Sequence, residues 1–300
     1  MSSDHTRNPL GDELQEVIRG VNGELIEALP LGSGGYPGYH PSAFRIRLAD
    51  GRVLKGRLYG NWQRAAAVEY VLQRVHHPGL PRMLARAGRA LLKEWVDGRP
   101  LVAEEMTSAM LQQCGELLGF IHSAPVPDRN PFERRDPIEE WHRRCERDLA
   151  ALVHAQALDG GEARRAFELA LSHAPSRCVA GFVHRDFCLE NLVLRRSEEI
   201  CVVDNETLGI DACDFDLGRM WYRWPMSREQ REAFFSGYHR RRSAQEFVKH
   251  GAYWAIVAVA DAAVFRLRKH AQATQAPVVR LRTLLREFDR AADDITLLSY

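Results

Sequence analysis

Three hundred residues suffice for one large domain or two moderate ones, and 45% apolar with 27% charged residues is the balance of an ordinary globular chain. A formal net charge of +1 gives no global electrostatic argument for nucleic acid or acidic partners. The six cysteines (Cys114, Cys145, Cys178, Cys188, Cys201, Cys213) include no C-x-x-C pair, which argues against zinc and redox centres and fits reduced thiols in a cytoplasm.

Residues 1–10 are polar, lack the apolar run of a signal peptide and are expected to form a mobile tail. A strand is expected over Leu25–Leu29, leading through Pro30 into a glycine-rich stretch, Gly32-Ser33-Gly34-Gly35-Tyr36-Pro37-Gly38. Backbone amides at Ser33, Gly34 and Gly35 can cradle phosphate oxygens, although a plain turn has the same composition. Phe44–Leu48 alternates apolar and basic residues, as a strand with one wet face does. Asp50-Gly51 signals a type I′ hairpin turn, and Arg52–Tyr59 is the returning strand. Lys55 shares a strand face with Val53 because side chains alternate with period two. The next helix, Arg64–Val75, has a stripe of Val68, Val71, Leu72 and Val75, and Glu69 beside that stripe is placed to pair with Lys55. His76-His77-Pro78-Gly79 reads as a turn and Arg89–Val96 as a strand, with a domain boundary after it that separates 11–96 from 97–300.

The remainder reads as mainly helical: Glu104–Ser123, a proline-rich loop over Pro125–Pro137, Ile138–Gln156, Glu162–His173, Leu217–Trp224, Arg228–Arg241, Ala244–His270 and Val278–Leu298. The most apolar long segment, Gly251–Phe265, is shorter than a membrane span and contains Asp261, so a buried core helix is expected there.

The densest chemistry lies in Phe182–Glu206, FVHRDFCLENLVLRRSEEICVVDNE. His184-Arg185-Asp186 is followed by four residues and then Asn191; thirteen residues later comes Asp204. Between them, Leu192–Leu194 and Ile200–Val203 flank a polar turn, the pattern of a hairpin that would bring Asn191 and Asp204 side by side. An amide oxygen and a carboxylate suit Mg²⁺, which takes oxygen ligands and is shared with substrate phosphates. A separate aspartate can orient an acceptor hydroxyl and take its proton.

The H-R-D-x-x-x-x-N spacing, the Val203-Asp204-Asn205-Glu206 context and the later Asp214-Phe215-Asp216-Leu217-Gly218 resemble the protein-kinase-like superfamily, specifically its aminoglycoside phosphotransferase and choline kinase branch. The resemblance implies an α+β, bilobal protein-kinase-like fold, with a small antiparallel-sheet nucleotide lobe and a larger, mainly helical lobe. It implies ATP (or GTP) and Mg²⁺ as cofactors, and in-line transfer of the γ-phosphate to a hydroxyl of a small molecule. Carried onto this chain, Asp186 is the catalytic base, Asn191 and Asp204 hold the metal, and Glu206 is a further ligand or the partner of a metal-bound water. Lys55, tied to Glu69, steadies the phosphates; Ser33, Gly34 and Gly35 cover them; the carbonyl of Glu94 and the N–H of Val96 meet the adenine edge. His184 and Asp216 prop the loop. Two departures stand out: Arg185 replaces the glycine usual after the histidine, and the glycine loop is irregular.

In relatives, helices wall the acceptor pocket, which singles out Trp141, His142, Trp221, Tyr222, Trp224 and Tyr238, although aromatics at helical spacing also build cores. From Arg219 onward there are fifteen Lys plus Arg against eight Asp plus Glu. That excess disfavours a polycation and points to a neutral or anionic metabolite, sugar or non-aminoglycoside antibiotic. Neither nucleic acid nor membrane is an expected partner; the protein is expected to be a cytoplasmic monomer or homodimer, in a resistance or a metabolic role. Two other readings remain: a catalytically inactive nucleotide-binding scaffold, and a protein kinase, against which stands the absence of D-F-G and A-P-E.

Overall fold

The computed structural model describes residues 10–32, 42–127, 137–269 and 274–290. The expected tail lies outside these residues except for Leu10, which is buried in the core. The chain divides into two compact units, one running to Arg99 and taking in Val193–Glu206, the other holding Pro100–Leu192 and the chain from Thr207. The expected boundary after Val96 thus comes three residues later, and the hairpin placed in the C-terminal lobe groups with the N-terminal unit. The reason is local: Gly98 lies so close to Leu194 that a Cβ would stand 2.4 Å from its carbonyl oxygen. In addition, the Val202 N–H donates to the Gly79 carbonyl at 2.9 Å.

The first unit opens with α1 (Gly11–Gly20), a helix absent from the sequence reading. Its Leu14, Val17 and Ile18 repeat at i, i+3 and i+4 and are buried, and Asp12 and Glu13 suit its positive N-terminal end. A five-stranded antiparallel sheet follows, built from β1 (Leu25–Pro30), β2 (Ala43–Leu48), β3 (Val53–Leu58), β4 (Met83–Ala87) and β5 (Ala90–Glu94) in the order β1-β2-β3-β5-β4. Of these, β4 has no counterpart among the expected elements. α2 (Trp62–Leu72) connects β3 to β4; the Asn61 side chain accepts the Arg64 N–H at 2.8 Å and so starts the helix two residues before the expected position.

The sheet has two unlike faces. Phe44, Ile46, Leu48, Leu54 and Leu92 point to α1 and form one core with its Leu14, Val17 and Ile18. On the other face, strand register sets Arg45 opposite Lys55, and Lys55 opposite Lys93. The turn joining β2 to β3 is not type I′, which requires positive φ at both central residues. Only Gly51 turns left-handed (φ 85°), the Gly51 N–H donates to the Leu48 carbonyl at 3.0 Å, and four residues, Ala49 to Arg52, lie between the strands.

In chain order the remaining elements are β6 (Gly98–Pro100), α3 (Ser108–Ser123), α4 (Pro137–His154), α5 (Gly160–Ser172), β7 (Ala180–Val183), β8 (Leu192–Arg195), β9 (Ile200–Val202), β10 (Gly209–Ala212), α6 (Cys213–Arg223), α7 (Arg228–His239), α8 (Gln245–Lys269) and α9 (Gln275–Arg290). β6, β8 and β9 form a three-stranded sheet, so the hairpin exists, and β7 pairs antiparallel with β10. Thr107 caps α3, and capping boxes start α5 (Asp159, Glu162) and α7 (Ser227, Gln230). α8 is long and apolar enough to cross a membrane by composition, but 83% of its apolar window is buried inside the protein. α3 and α7 touch backbone to backbone: a Cβ on Gly115 would fall 1.9 Å from the Phe234 carbonyl oxygen, and one on Gly237 1.9 Å from that of Gln112. Cys114, Cys145, Cys188, Cys201 and Cys213 are buried free thiols.

Candidate active site

β7 delivers the chain to His184, and the loop beyond it is closed from beneath by one carboxylate. Asp216, in the first turn of α6, is sealed from solvent. Its Oδ2 accepts the His184 N–H at 2.5 Å and its Oδ1 the Arg185 N–H at 2.6 Å, while the His122 ring Nε2 lies 3.2 Å from Oδ2. The other ring nitrogen of His122 meets the Tyr238 hydroxyl at 2.9 Å. Burial pushes the Asp216 carboxyl up, but the hydrogen bond and charge of His122 and the His184 N–H outweigh it and hold the group below its ordinary range. The Thr207 hydroxyl donates to the His184 carbonyl at 2.7 Å.

Arg185 adopts a left-handed backbone (φ 64°), the conformation that glycine takes without strain. A glycine would take this conformation freely, and Asp216 holds the arginine in it by accepting its N–H. The Arg185 guanidinium turns to the buried Asp211 (2.6 Å), whose other oxygen accepts the Trp141 indole N–H at 2.9 Å. Arg185 is therefore part of the support of the loop.

Asn191 ends a short 3-10 turn, and its amide donates to the Asp186 carbonyl at 2.8 Å and to the Asp186 Oδ2 at 3.1 Å. The amide oxygen is left for another partner. Asp186 Oδ1 faces two guanidiniums from α6, Arg219 at 3.3 Å and Arg223 at 3.4 Å. Arg219 also pairs with Asp261 at 3.1 Å, an aspartate that Arg144 contacts as well. The sequence reading missed both arginines, yet their signal was present: they follow Asp216 at i+3 and i+7, on one face of a helix.

In the first unit, Lys55 on β3 stands between two carboxylates, 3.1 Å from Asp204 Oδ1 and 3.1 Å from Glu206 Oε1. This corrects the expected Lys55–Glu69 pair. Glu69 is taken by Arg86 of β4 at 2.5 Å, a partner invisible while β4 itself went unread. Asp204 also has a left-handed backbone (φ 59°), which turns it out of the chain just after β9. Arg57 Nε approaches Glu206 to 3.8 Å, and Arg64 Nε donates to the Glu206 carbonyl at 3.0 Å. Partial burial, followed by the hydrogen bond and charge of Glu206, pushes the Asp204 carboxyl up to about 6 against the pull of Lys55. Burial pushes Glu206 the same way, but the hydrogen bond from Asp204 and the charges of Lys55, Lys93 and Arg57 hold it well below the carboxylate range.

Ser33, Gly34 and Gly35 lie outside the described residues. Glu94 closes β5: its N–H donates to the Arg82 carbonyl at 2.8 Å and its carboxylate accepts from Arg195 at 3.0 Å. The Arg45 guanidinium stands over the Trp95 ring at 5.3 Å, one residue before Val96. Among the described residues no three His, Cys, Asp or Glu side chains converge on a metal position. Mg²⁺ keeps several waters and takes one or two carboxylates together with substrate phosphates. Asp204, Glu206 and the amide oxygen of Asn191 are all hard oxygen donors of the required type. Of the aromatic residues suggested for the acceptor pocket, Trp141, Trp221, Trp224 and Tyr238 are buried in the helical core, while His142 and Tyr222 are half-buried.

A family model described as "Phosphotransferase enzyme family" matches residues 54–251. No curated protein is significantly similar to the chain. Among solved structures, a choline/ethanolamine kinase family protein from Mesorhizobium loti shares 19% identity, with 99% of this chain and 100% of that one covered and a TM-score of 0.66. The choline kinase LicA from Streptococcus pneumoniae shares 13% identity over 90% and 96% of the two chains, and LicA in complex with AMP 13% over 92% and 97%, each with a TM-score of 0.66. A macrolide 2′-phosphotransferase from Brachybacterium faecium shares 15% identity over 89% and 95%, TM-score 0.61. At these identities the likeness establishes the α+β, kinase-like fold.

Proposed function

Because the chain belongs to the phosphotransferase enzyme family, we propose that it is a small-molecule kinase moving the γ-phosphate of ATP to a hydroxyl of a neutral or anionic acceptor. The observation that carries this reading is Lys55 clasped between Asp204 and Glu206, a lysine with two hard carboxylates of the kind a metal–phosphate complex needs. Asp186 orients the acceptor hydroxyl and takes its proton, and Asn191 positions Asp186 through its amide N–H while offering its oxygen to the metal. Lys55 steadies the phosphates, and Glu94 and Val96 meet the base through their main chain. Asp204 and the Asn191 amide oxygen are the donors that would hold Mg²⁺, which would neutralise charge on the transferring phosphoryl group. The AMP complex of a related fold supports a nucleotide as donor.

The acceptor class rests on Arg219 and Arg223, both aimed at the proposed base. Two guanidiniums beside Asp186 repel a cationic acceptor such as choline or an aminoglycoside, and they accommodate a neutral or anionic one. Lys55, Asp186, Asn191 and Asp204 are all present, so the inactive scaffold is not favoured. Only β10 and a short turn separate Asp204 from α6, which leaves no room for the peptide-docking segment of a protein kinase.

A thermal-shift series with ATP and GTP, each with and without Mg²⁺, on wild type, Asp204→Asn and Asp186→Asn tests the reading. We expect a Mg²⁺-dependent rise in Tm with one nucleotide, lost in Asp204→Asn and kept in Asp186→Asn, whose turnover falls by about 10²–10⁴-fold. No shift with either nucleotide overturns the donor assignment. Rapid ADP release with choline or kanamycin, and none with neutral or anionic hydroxy compounds, overturns the acceptor class.

A further inference from the structure

The chain contains only four lysines, Lys55, Lys93, Lys249 and Lys269, among 41 basic residues. Two of the four stand directly opposite each other on neighbouring strands, Lys55 on β3 and Lys93 on β5, on the face turned away from α1. Lys55 has two carboxylates. Lys93 is 0% exposed, and its Nζ has no hydrogen-bond partner among the described residues. A sealed ammonium without an acceptor is among the costliest arrangements a fold can hold, and such arrangements persist where a ligand completes them.

Its surroundings say which ligand. The charges felt by Lys93 are Lys55, Glu206, Asp204 and Arg57, the same groups that form the proposed donor site. Arg57 Nε is likewise buried without a hydrogen-bond partner, and so is the hydroxyl of Tyr59, which lies within the field of Glu206, Arg57, Arg64 and Asp204. Three buried donors without hydrogen-bond partners among the described residues, from β3, β5 and the residue just after β3, thus lie within the field of Asp204 and Glu206, where one acceptor atom, Glu206 Oε1, is likewise without a hydrogen-bond partner although Lys55 Nζ stands 3.1 Å away. The missing partner is an acceptor, with more negative charge than Asp204 and Glu206 supply.

We propose that Lys93 is a second phosphate-binding lysine of the donor site, one whose ammonium gains its acceptor only when the phosphate chain of a nucleoside di- or triphosphate is in place. Lysine suits this role because a flexible four-carbon stem lets a compact charge reach an oxygen, and because burial can be tolerated by easier loss of the proton; burial, chiefly, and the neighbouring Lys55 lower this ammonium to about 8. An arginine there would remain charged and would carry a bulkier head. The inference rests on the phosphotransferase reading above, but the role belongs to a residue that the motif comparison did not single out.

The experiment is a calorimetric ladder of adenosine, AMP, ADP and ATP with Mg²⁺ on wild type, Lys93→Met and Lys93→Gln. The nucleotide series of whichever base wild type prefers is used. We expect both variants to melt at a higher temperature than wild type without ligand, while ADP and ATP bind tenfold or more weakly and the nucleoside binds within twofold of wild type. Affinity unchanged along the whole ladder would make Lys93 a tolerated buried charge and overturn the proposal. Equal weakening of nucleoside and triphosphate would place Lys93 on the base instead, and also overturn it. If wild type binds no nucleotide, the phosphotransferase reading falls with it; if wild type binds and only the variants bind ADP and ATP weakly, the loss is confined to Lys93. Should both variants fail to fold, the Nζ resonance of Lys93 in lysine-labelled wild type serves, since with four lysines it is assignable: it should move on adding ADP with Mg²⁺ and not with adenosine, and a static signal overturns the proposal.

Discussion

Asp216 and Lys93 are both ionisable groups shut away from water, and their neighbourhoods are opposites. Asp216 receives two backbone N–H groups and a histidine ring, so every lone pair that matters is used within the chain. The Lys93 ammonium donates to no hydrogen-bond acceptor among the described residues. The first is a finished piece of architecture that holds the Arg185 turn in its left-handed shape. The second is unfinished, and a fold that keeps such a group carries a standing cost for the sake of something that binds. Buried charge alone therefore does not separate support from site; the tally of partners does.

The largest effect that would sharpen this contrast is Asp216→Ala, which strands the His184 and Arg185 N–H groups and His122 together. We expect a loss of about 3–5 kcal/mol in urea unfolding. The carboxyl lies below its ordinary 3.8, so its contribution is complete above that pH and is lost as pH falls through the lower folded value. Asp216→Asn should accordingly flatten the acid end of the stability profile; an unchanged unfolding midpoint for Asp216→Ala would remove the hub from the account.

Lys93 carries the opposite sign. Its ammonium is lowered from 10.5 to about 8, so the unfolded chain holds a proton that the folded one gives up between those values. Stability should rise with pH across that window, and the penalty is complete below pH 8, with an upper bound of about 3 kcal/mol. Lys93→Met should therefore gain about 1–3 kcal/mol at neutral pH and lose the alkaline slope. A wild-type profile that is flat or falling from pH 8 to 10.5 would break the contrast. The smallest effect belongs to Glu69→Gln, which removes a half-buried pair with Arg86 and should cost under about 1 kcal/mol. A tenfold loss of nucleotide affinity in that variant would instead return Glu69 to Lys55.

Much of this was legible in the amino-acid sequence because it is local. The hairpin between Asn191 and Asp204 shows as two apolar runs around a charged turn, and the helix starts are written in Asn61, Asp159 and Ser227. The H-R-D-x-x-x-x-N spacing fixed Asp186 and Asn191 on one loop, where the structure joins them by hydrogen bonds. What escaped depends on distant partners. Glu69 was placed correctly on its helix, but its choice between Lys55 and Arg86 depends on β4, a five-residue strand with no alternation to reveal it. β7 and β10 are four residues each, and neither carries a period by itself. Lys93 looked like one lysine on an expected strand; its isolation emerges only when β3, β5 and the turn after β9 are packed. α1 is a different kind of omission, since its i, i+3, i+4 pattern was there to be read.

The glycine seam between α3 and α7 bears on how this chain can be re-engineered. Replacing helical glycine by alanine is a dependable way to make a protein hardier, because it restricts the disordered chain. Here the helical glycines divide into two populations. Gly20 and Gly160 have open space where a methyl group would go. At Gly115, Gly119, Gly218 and Gly237 the same methyl group would overlap a carbonyl oxygen of a neighbouring helix, at 1.9 Å, 2.8 Å, 2.5 Å and 1.9 Å respectively. Those positions can change only if two helices move apart together, so any thermostabilised descendant of this chain will carry its alanines at the helix ends and keep its seams bare.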